Sequence, residues 1–399
     1  MEIEAIARRE PIAAARRQIR ATDEETIRDM VDAAAIPAPP YGETERGRWL
    51  FDRFDQIGLA DLAVDELGNV LARLPNSGTR PDSAPVILSA HLDTIFPPET
   101  PIQVRRNGRR IHAPGIADNC RGLAAMLTVA RALTAHRVAL DRPVVCIGSV
   151  GEEGTGDLRG VKHLFRPGSP WRETAAFITL DGTGRRRIVN RAIGSRRIRL
   201  QLSGPGGHSW ADFGVVNPAH ALGDIIAAIN RIELPLQPRT TLTIGRLGGG
   251  TSVNAIPETA WIELDLRSES PAVLAETEAV LRSVITEATE KAGTQRRRGS
   301  PVLGCELRVI GDRPAGETPA ASPLVRIARA ATRHFGETPE LVASSTDANA
   351  PMALGIPAIA LGAGGQSGGT HTVEEWYSNE GGPEGIERAL LIVAAAAAL

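Results

Sequence analysis

Two hydrophobic rhythms divide the chain. From residue 84, short apolar runs of strand length alternate with a longer helical stretch: APVILSAHLD, then CRGLAAMLTVARALTAHR, then PVVCIGSVGEEG, then AAFITLDG. Strands spaced by helices predict a largely parallel sheet covered by helices. Its strands end in acids and histidine, and ligands bind in the crevice beyond the carboxyl ends of strands in open α/β sheets.

Between about residues 196 and 312 the pattern changes. Strand RIRLQLSG, helix NPAHALGDIIAAINRI, strands RTTLTIGRL and TAWIELDLRS, helix PAVLAETEAVLRSVITEATEKAG and strand CELRVIGD follow in that order. A βαββαβ order usually folds as a self-contained ferredoxin-like sandwich. The α/β rhythm then resumes with helix SPLVRIARAATRHFG, strand PAIALGAGG and a last helix. The expected fold is therefore a discontinuous, mostly parallel α/β body, residues 1–195 and 313–399, with an inserted ferredoxin-like α+β domain at 196–312. Neither an internal repeat nor a low-complexity tract beyond the terminal alanines is present.

Composition narrows the function classes. With 399 residues and 42% apolar content, two domains are the first expectation. A net charge of -2 with mixed signs gives no electrostatic case for a nucleic-acid or membrane partner. The QRRRG stretch around Arg296 reads as a solvated loop. Cys120, Cys146 and Cys305 stand far apart, so neither a disulfide framework nor a thiolate zinc site is indicated, and a reducing cytoplasm fits. The charged N-terminal stretch argues against a secretion signal, and the C-terminal run ALLIVAAAAAL is too short for a membrane span. It reads as a packed terminal helix.

Five stretches place candidate metal ligands at or just after strand ends: SAHLDT, PGIADNCRG, GEEGTGD, TLDGTG and GGTHTVEEW. In HxD, His91 and Asp93 point to one side of a strand, so Asp93 can hold one imidazole nitrogen while His91 binds metal with the other. Asp118 follows a glycine-containing loop and precedes a helix. Adjacent Glu152 and Glu153 would face opposite sides of an ideal strand, and the flanking Gly151 and Gly154 permit a bend that lets both converge. His112, His136, His163, His220 and His334 lack such a setting and read as packing or surface residues. Cys120 reads as a small buried filler.

With these motifs on one chain, the sequence resembles the dinuclear zinc exopeptidase family of peptidase T, carnosinase, glutamate carboxypeptidase, aminoacylase and succinyl-diaminopimelate desuccinylase. The resemblance runs from IPAPPYGE at residues 36–43 through HLDT, the Asp118 loop, GEEG, LDG and GPGGHSW to GTHTVEEW. It implies that Asp118 bridges two metals, with His91 and Asp181 completing one site and Glu153 and His371 the other. Two Zn²⁺ per subunit are implied, though Co²⁺ or Mn²⁺ could occupy the same nitrogen and oxygen donors. Glu152 is then the general base for the water that the two ions acidify: it takes the proton, the bridging hydroxide attacks the amide, and Glu152 returns the proton to the leaving amine. His208 in the inserted stretch supplies a donor to the oxyanion. Asn254 in GGTSVNAIPE and Arg267 in ELDLRS sit where relatives contact substrate, and Asp93 and Glu375 orient the ligands. The resemblance further implies that the inserted domain serves as a lid and homodimer contact and that the Asp118–Asn119 peptide is cis.

The resemblance also tilts the substrate. Aspartate at position 181 accompanies di- and tripeptide aminopeptidases in the family, where deacylases and carboxypeptidases tend to carry glutamate. The stretch SSTDANAPMALGIPAIALG resembles peptidase T-like sequences, although Asp347 and Asn349 stand where some relatives carry a substrate-binding arginine. The expected activity is a cytoplasmic aminopeptidase of short peptides, with an N-acyl-amino-acid amidohydrolase or carboxypeptidase as the alternative.

Overall fold

A computed structural model of the chain describes residues 3–75, 77, 78, 80, 83–294, 299 and 301–398. The arginine stretch around Arg296 lies outside the described residues. The chain divides into two compact units, Met1–Ala192 with Gly316–Leu399, and Ile193–Ala315.

In the first unit the unbroken apolar runs form central strands. Every residue of Val86–His91, Val144–Ser149, Ala176–Leu180 and Ala358–Leu361 is buried. These four lie side by side in the order Val144–Ser149, Val86–His91, Ala176–Leu180, Ala358–Leu361, each parallel to the next. Successive side chains leave opposite faces of a strand, so Val86 and Leu88 join one apolar core with the helices Arg121–Ala135 and Gly382–Ala396. Ile87 joins another, with Leu158, Val161, Leu164 and Phe165. Antiparallel pairs at both ends, Ala60–Val64 with Val70–Arg73 and Arg187–Ala192 with Gly316–Glu317, make the sheet mixed.

Parallel neighbours end on the same side, and the register decides what meets there. His91 pairs with Ser149, and Ser89 with Thr179, so Asp181 lies level with His91 one residue past its strand. A second, small antiparallel sheet joins Gln366–Gly368, Trp376–Ser378, Arg110–His112 and Arg105–Asn107. The connection between its first two strands carries His371 and Glu375. The alanine-rich C-terminal run packs as the buried helix Gly382–Ala396. Among the described residues no helix is long and apolar enough to cross a membrane.

The unit Ile193–Ala315 has an antiparallel sheet in the order Thr240–Gly249, Thr259–Ser268, Gly194–Ser203, Gly304–Arg313. Alternation along Gly194–Ser203 and Thr259–Ser268 puts Ile198, Leu200, Leu202, Ile262 and Leu264 on one face. The helices Pro218–Ile229 and Pro271–Thr294 cover that face with Leu222, Ile225, Leu281 and Ile285. This is the βαββαβ arrangement that the alternating pattern predicts.

Candidate metal centre

The centre is built from the carboxyl ends of the body strands and the loops that follow them. Strand Val86–His91 stops at His91, so Asp93 lies in the turn beyond and not, as the HxD spacing suggests, on the same strand face. The contact survives the change of backbone. His91 Nδ1 lies 3.0 Å from the Asp93 carbonyl oxygen and 3.6 Å from its carboxylate. That carboxylate accepts the backbone N–H groups of Glu152 at 2.9 Å and Glu153 at 2.8 Å. Asp93 thus fixes a ring and the neighbouring acidic turn together.

Gly151 and Gly154 both take positive φ, 67° and 49°. This is the bend needed to turn two adjacent acids inward, and glycine adopts it without the steric cost of a Cβ. Glu152 and Glu153 are both buried, at 5% and 6% exposure. Asp118 sits between Gly115, at φ 73°, and the helix Arg121–Ala135, and its peptide bond to Asn119 is cis. The buried carboxylate of Glu375 holds this loop by accepting the N–H groups of Ala117 at 2.8 Å, Asp118 at 3.0 Å and Gly115 at 3.3 Å. Burial pushes the Glu375 carboxyl up to about 7 against the pull of those amides.

Two imidazoles meet one carboxylate here. His91 Nε2 is 3.1 Å from Asp118 Oδ1, and His371 Nε2 is 3.3 Å from Asp118 Oδ2 and 3.0 Å from Glu153 Oε1. One ligand atom from each of His91, Asp118 and Glu153 falls within a 4.8 Å cluster. His371 holds a positive φ of 66°, uncommon for a residue other than glycine. Burial opposes a charged His91, yet Asp118 and Asp93 hold its pKa well above 6.5. The Asp118 and Glu153 carboxylates raise His371 to about 10. Burial would raise the Asp118 pKa, but the two histidines outweigh it and bring it down.

Asp181 has the opposite setting. Burial first, then repulsion from Asp118, Glu153 and Asp347, pushes its carboxyl up to about 7 despite the nearby His91. Several carboxylates and two imidazoles with no thiolate among them suit zinc, cobalt or manganese. A divalent cation would offset the mutual repulsion that penalises ionised Asp181. The residues therefore fit such ions.

His208, Asn254 and Arg267 belong to the other unit. His208 is exposed on the short strand Gly207–His208, which pairs with Ala255–Ile256. Its Nδ1 faces the backbone N–H groups of Trp210 at 3.2 Å and Ala211 at 3.4 Å. A backbone N–H only donates, so Nδ1 accepts and a neutral ring carries its proton on Nε2. The exposed Asn254 accepts from Ser252 Oγ at 2.6 Å, and its backbone carbonyl accepts from Ser209 at 3.0 Å. Arg267 Nε donates to Asp265 at 2.7 Å.

Three further groups support the centre: Arg46, which carried no motif, and Asn119 and Asp347, which lie inside stretches already singled out. Arg46 is buried on the helix Thr44–Ile57, donates to the Leu92 carbonyl at 2.7 Å and also reaches the Ile36 carbonyl. Nothing in a single arginine on a helix announces that. Asn119 donates to the Leu180 carbonyl at 2.8 Å and accepts from Gly122 at 3.2 Å, tying the Asp118 loop to the strand before Asp181. Its place just before a helix was the available signal. Asp347 is buried and accepts from Ser149 Oγ. Cys120 is fully buried, and burial raises its thiol pKa.

Comparison with known proteins gives a family and a fold. The family model of Peptidase family M20/M25/M40 matches residues 87–397. An uncharacterized protein, YqjE of Bacillus subtilis, is 25% identical over 357 residues, covering 85% of this chain and 90% of the relative. A LysW-lysine hydrolase of Deinococcus radiodurans is 27% identical over 380 residues, covering 88% and 92%. Among solved structures, aminopeptidase PepT from Bacillus cereus superposes with a TM-score of 0.73 at 24% identity, over 94% of this chain and 98% of that one.

Proposed function

The chain belongs to Peptidase family M20/M25/M40, and on that premise we propose that this metal-binding hydrolase removes N-terminal residues from di- and tripeptides. The observation that carries the reading is the Asp118 carboxylate, with one oxygen on each of two imidazoles. His91 and Asp181 would hold one cation, Glu153 and His371 a second, and Asp118 would serve both; two Zn²⁺ are the expected pair. Such ions, when bound, would supply acidification of the attacking water and polarisation of the amide carbonyl.

The chain's own groups supply the rest. Glu153 contacts His371, and the family resemblance gives the proton-carrying role to its neighbour Glu152. The Glu152 carboxylate accepts it from the attacking water and delivers it to the leaving amine nitrogen. Asp93 keeps that carboxylate in place through the amides of both glutamates. His208, with its proton on Nε2, donates to the oxyanion, and Asn254 and Arg267 bind the peptide, Arg267 by its terminal carboxylate. The inserted unit acts as the lid and homodimer contact of a cytoplasmic enzyme.

The test is a panel of di- and tripeptides beside their N-acylated counterparts, assayed on protein whose metal content has been measured. Cleavage of free peptides with about two ions bound is expected. The full-length similarity to a LysW-lysine hydrolase favours a second reading, an amidohydrolase of N-acyl amino acids, with carboxypeptidase action as its variant. Cleavage confined to blocked substrates selects that reading.

A further inference from the structure

The turn that carries the two glutamates is braced from below by one arginine. Arg159 opens the short helix Arg159–Leu164, and its stem lies against Gly151: a Cβ placed on that glycine would fall 2.6 Å from Arg159 Cγ. Its guanidinium is anchored on three sides. Nη2 donates to the buried carboxylate of Glu43 at 2.7 Å, and Nη1 donates to the Leu67 carbonyl at 3.0 Å. The plane lies 4.9 Å from the centre of the Tyr41 ring. Tyr41 itself holds φ 71°, in the left-handed region that costs a bulky residue energy, and its hydroxyl donates to the Thr155 carbonyl at 3.1 Å. The far side of the turn is pinned too: Gly160 N–H donates to the Val150 carbonyl at 2.9 Å, and Val150 N–H to Asn69 Oδ1 at 3.0 Å.

We propose that Arg159 is the positioning residue of the paired-glutamate turn: packed under Gly151 and fixed by Glu43, Leu67 and Tyr41, it sets the direction in which the Glu152 carboxylate points. The proposal rests on Glu152 being the proton carrier. The three anchors fix the guanidinium, and the stem they hold in place lies against the glycine two residues ahead of a metal-ligand candidate. It acts through the backbone and touches no substrate. A misplacement on the order of 1 Å at a reacting group costs about 10²-fold in rate, which is the scale such a brace controls.

The decisive variant is Arg159→Met, which keeps the stem and removes the anchored head. kcat should fall about 10- to 100-fold, with KM within about threefold of wild type and the bound metal unchanged. A kcat within about twofold of wild type overturns the proposal, and so does a loss of metal that tracks the loss of rate. Should Arg159→Met fail to fold, Glu43→Gln and the exposed Tyr41→Phe decide: lowered kcat at constant KM and metal content supports the brace, and unchanged kcat in both overturns it. Glu152→Gln is measured alongside. If that variant keeps full activity, the proton-carrier reading fails; if it is inactive while Arg159→Met is fully active, only the brace fails.

Discussion

The candidates in the body and those in the inserted unit live in different physical surroundings. Several body residues are held by another fixed group: Asp93 grips the amides of Glu152 and Glu153, Glu375 grips the Asp118 loop, and Asp118 meets both imidazoles. Most of them are buried in a place where unbalanced charge is expensive. The inserted unit's candidates are satisfied by near neighbours in sequence, Arg267 by Asp265, Asn254 by Ser252 and His208 by the amides two and three residues on. A preorganised centre demands its partners from the fold, whereas groups that meet a ligand can wait in contacts that cost little to exchange. Changes in the body should therefore alter metal content or chemistry at a stroke, and changes in the inserted unit should alter rate or substrate binding with the metal content kept.

The sharpest break of that contrast is Asp118→Asn. It keeps shape and removes the charge that both imidazoles face, so both ions should be lost on dialysis and kcat/KM should fall at least about 10⁴-fold. Atomic absorption with an activity assay checks this, and retention of two ions with full activity would contradict the shared-carboxylate reading. Next comes Glu152→Gln. The same elemental measurement should find the metal content intact while kcat drops about 10²- to 10⁴-fold. If the metal leaves with the activity, Glu152 is a ligand and the division of labour between the two glutamates is wrong.

His208→Ala probes the other side. Losing one oxyanion donor costs about 10²- to 10³-fold in kcat, and because the ring is exposed the melting temperature and metal content should hold. His208→Gln, which can still donate, should recover part of the rate. An alanine variant as fast as wild type would place His208 outside the reaction.

Much of the fold was legible because both units obey simple periodicities. Fully apolar runs such as PVVCIGSV became strands buried on both faces, and alternation in TAWIELDLRS became a strand with one face on helices. The small sheet that carries His371 and Glu375 escaped notice, because Arg105–Asn107 and Trp376–Ser378 are three residues each and the first is wholly exposed. Three residues hold no measurable period. The centre's motifs stood out because acids and histidine at strand ends are costly without a purpose. Arg46 and Arg159 did not, since a guanidinium that serves carbonyls far away in sequence looks like any solvated arginine until the chain is folded.

The smallest of these effects tests whether a group that touches only backbone can still govern the metal. Glu375 accepts three amides from the Asp118 loop and makes no contact with either imidazole. Glu375→Gln keeps the length but can offer only one oxygen, and its NH₂ would face donors it cannot satisfy. The loop should relax, and the Asp118 carboxylate should lose its fixed aim while remaining charged. Groups that orient ligands typically contribute about 10- to 100-fold in metal affinity or activity. Titration with Zn²⁺ against a competing chelator should show weakening on that scale, with near-normal kcat once the metal is saturating. Unchanged affinity would mean that the loop keeps its shape without this carboxylate, and that the body is less tightly cross-braced than its hydrogen bonds imply.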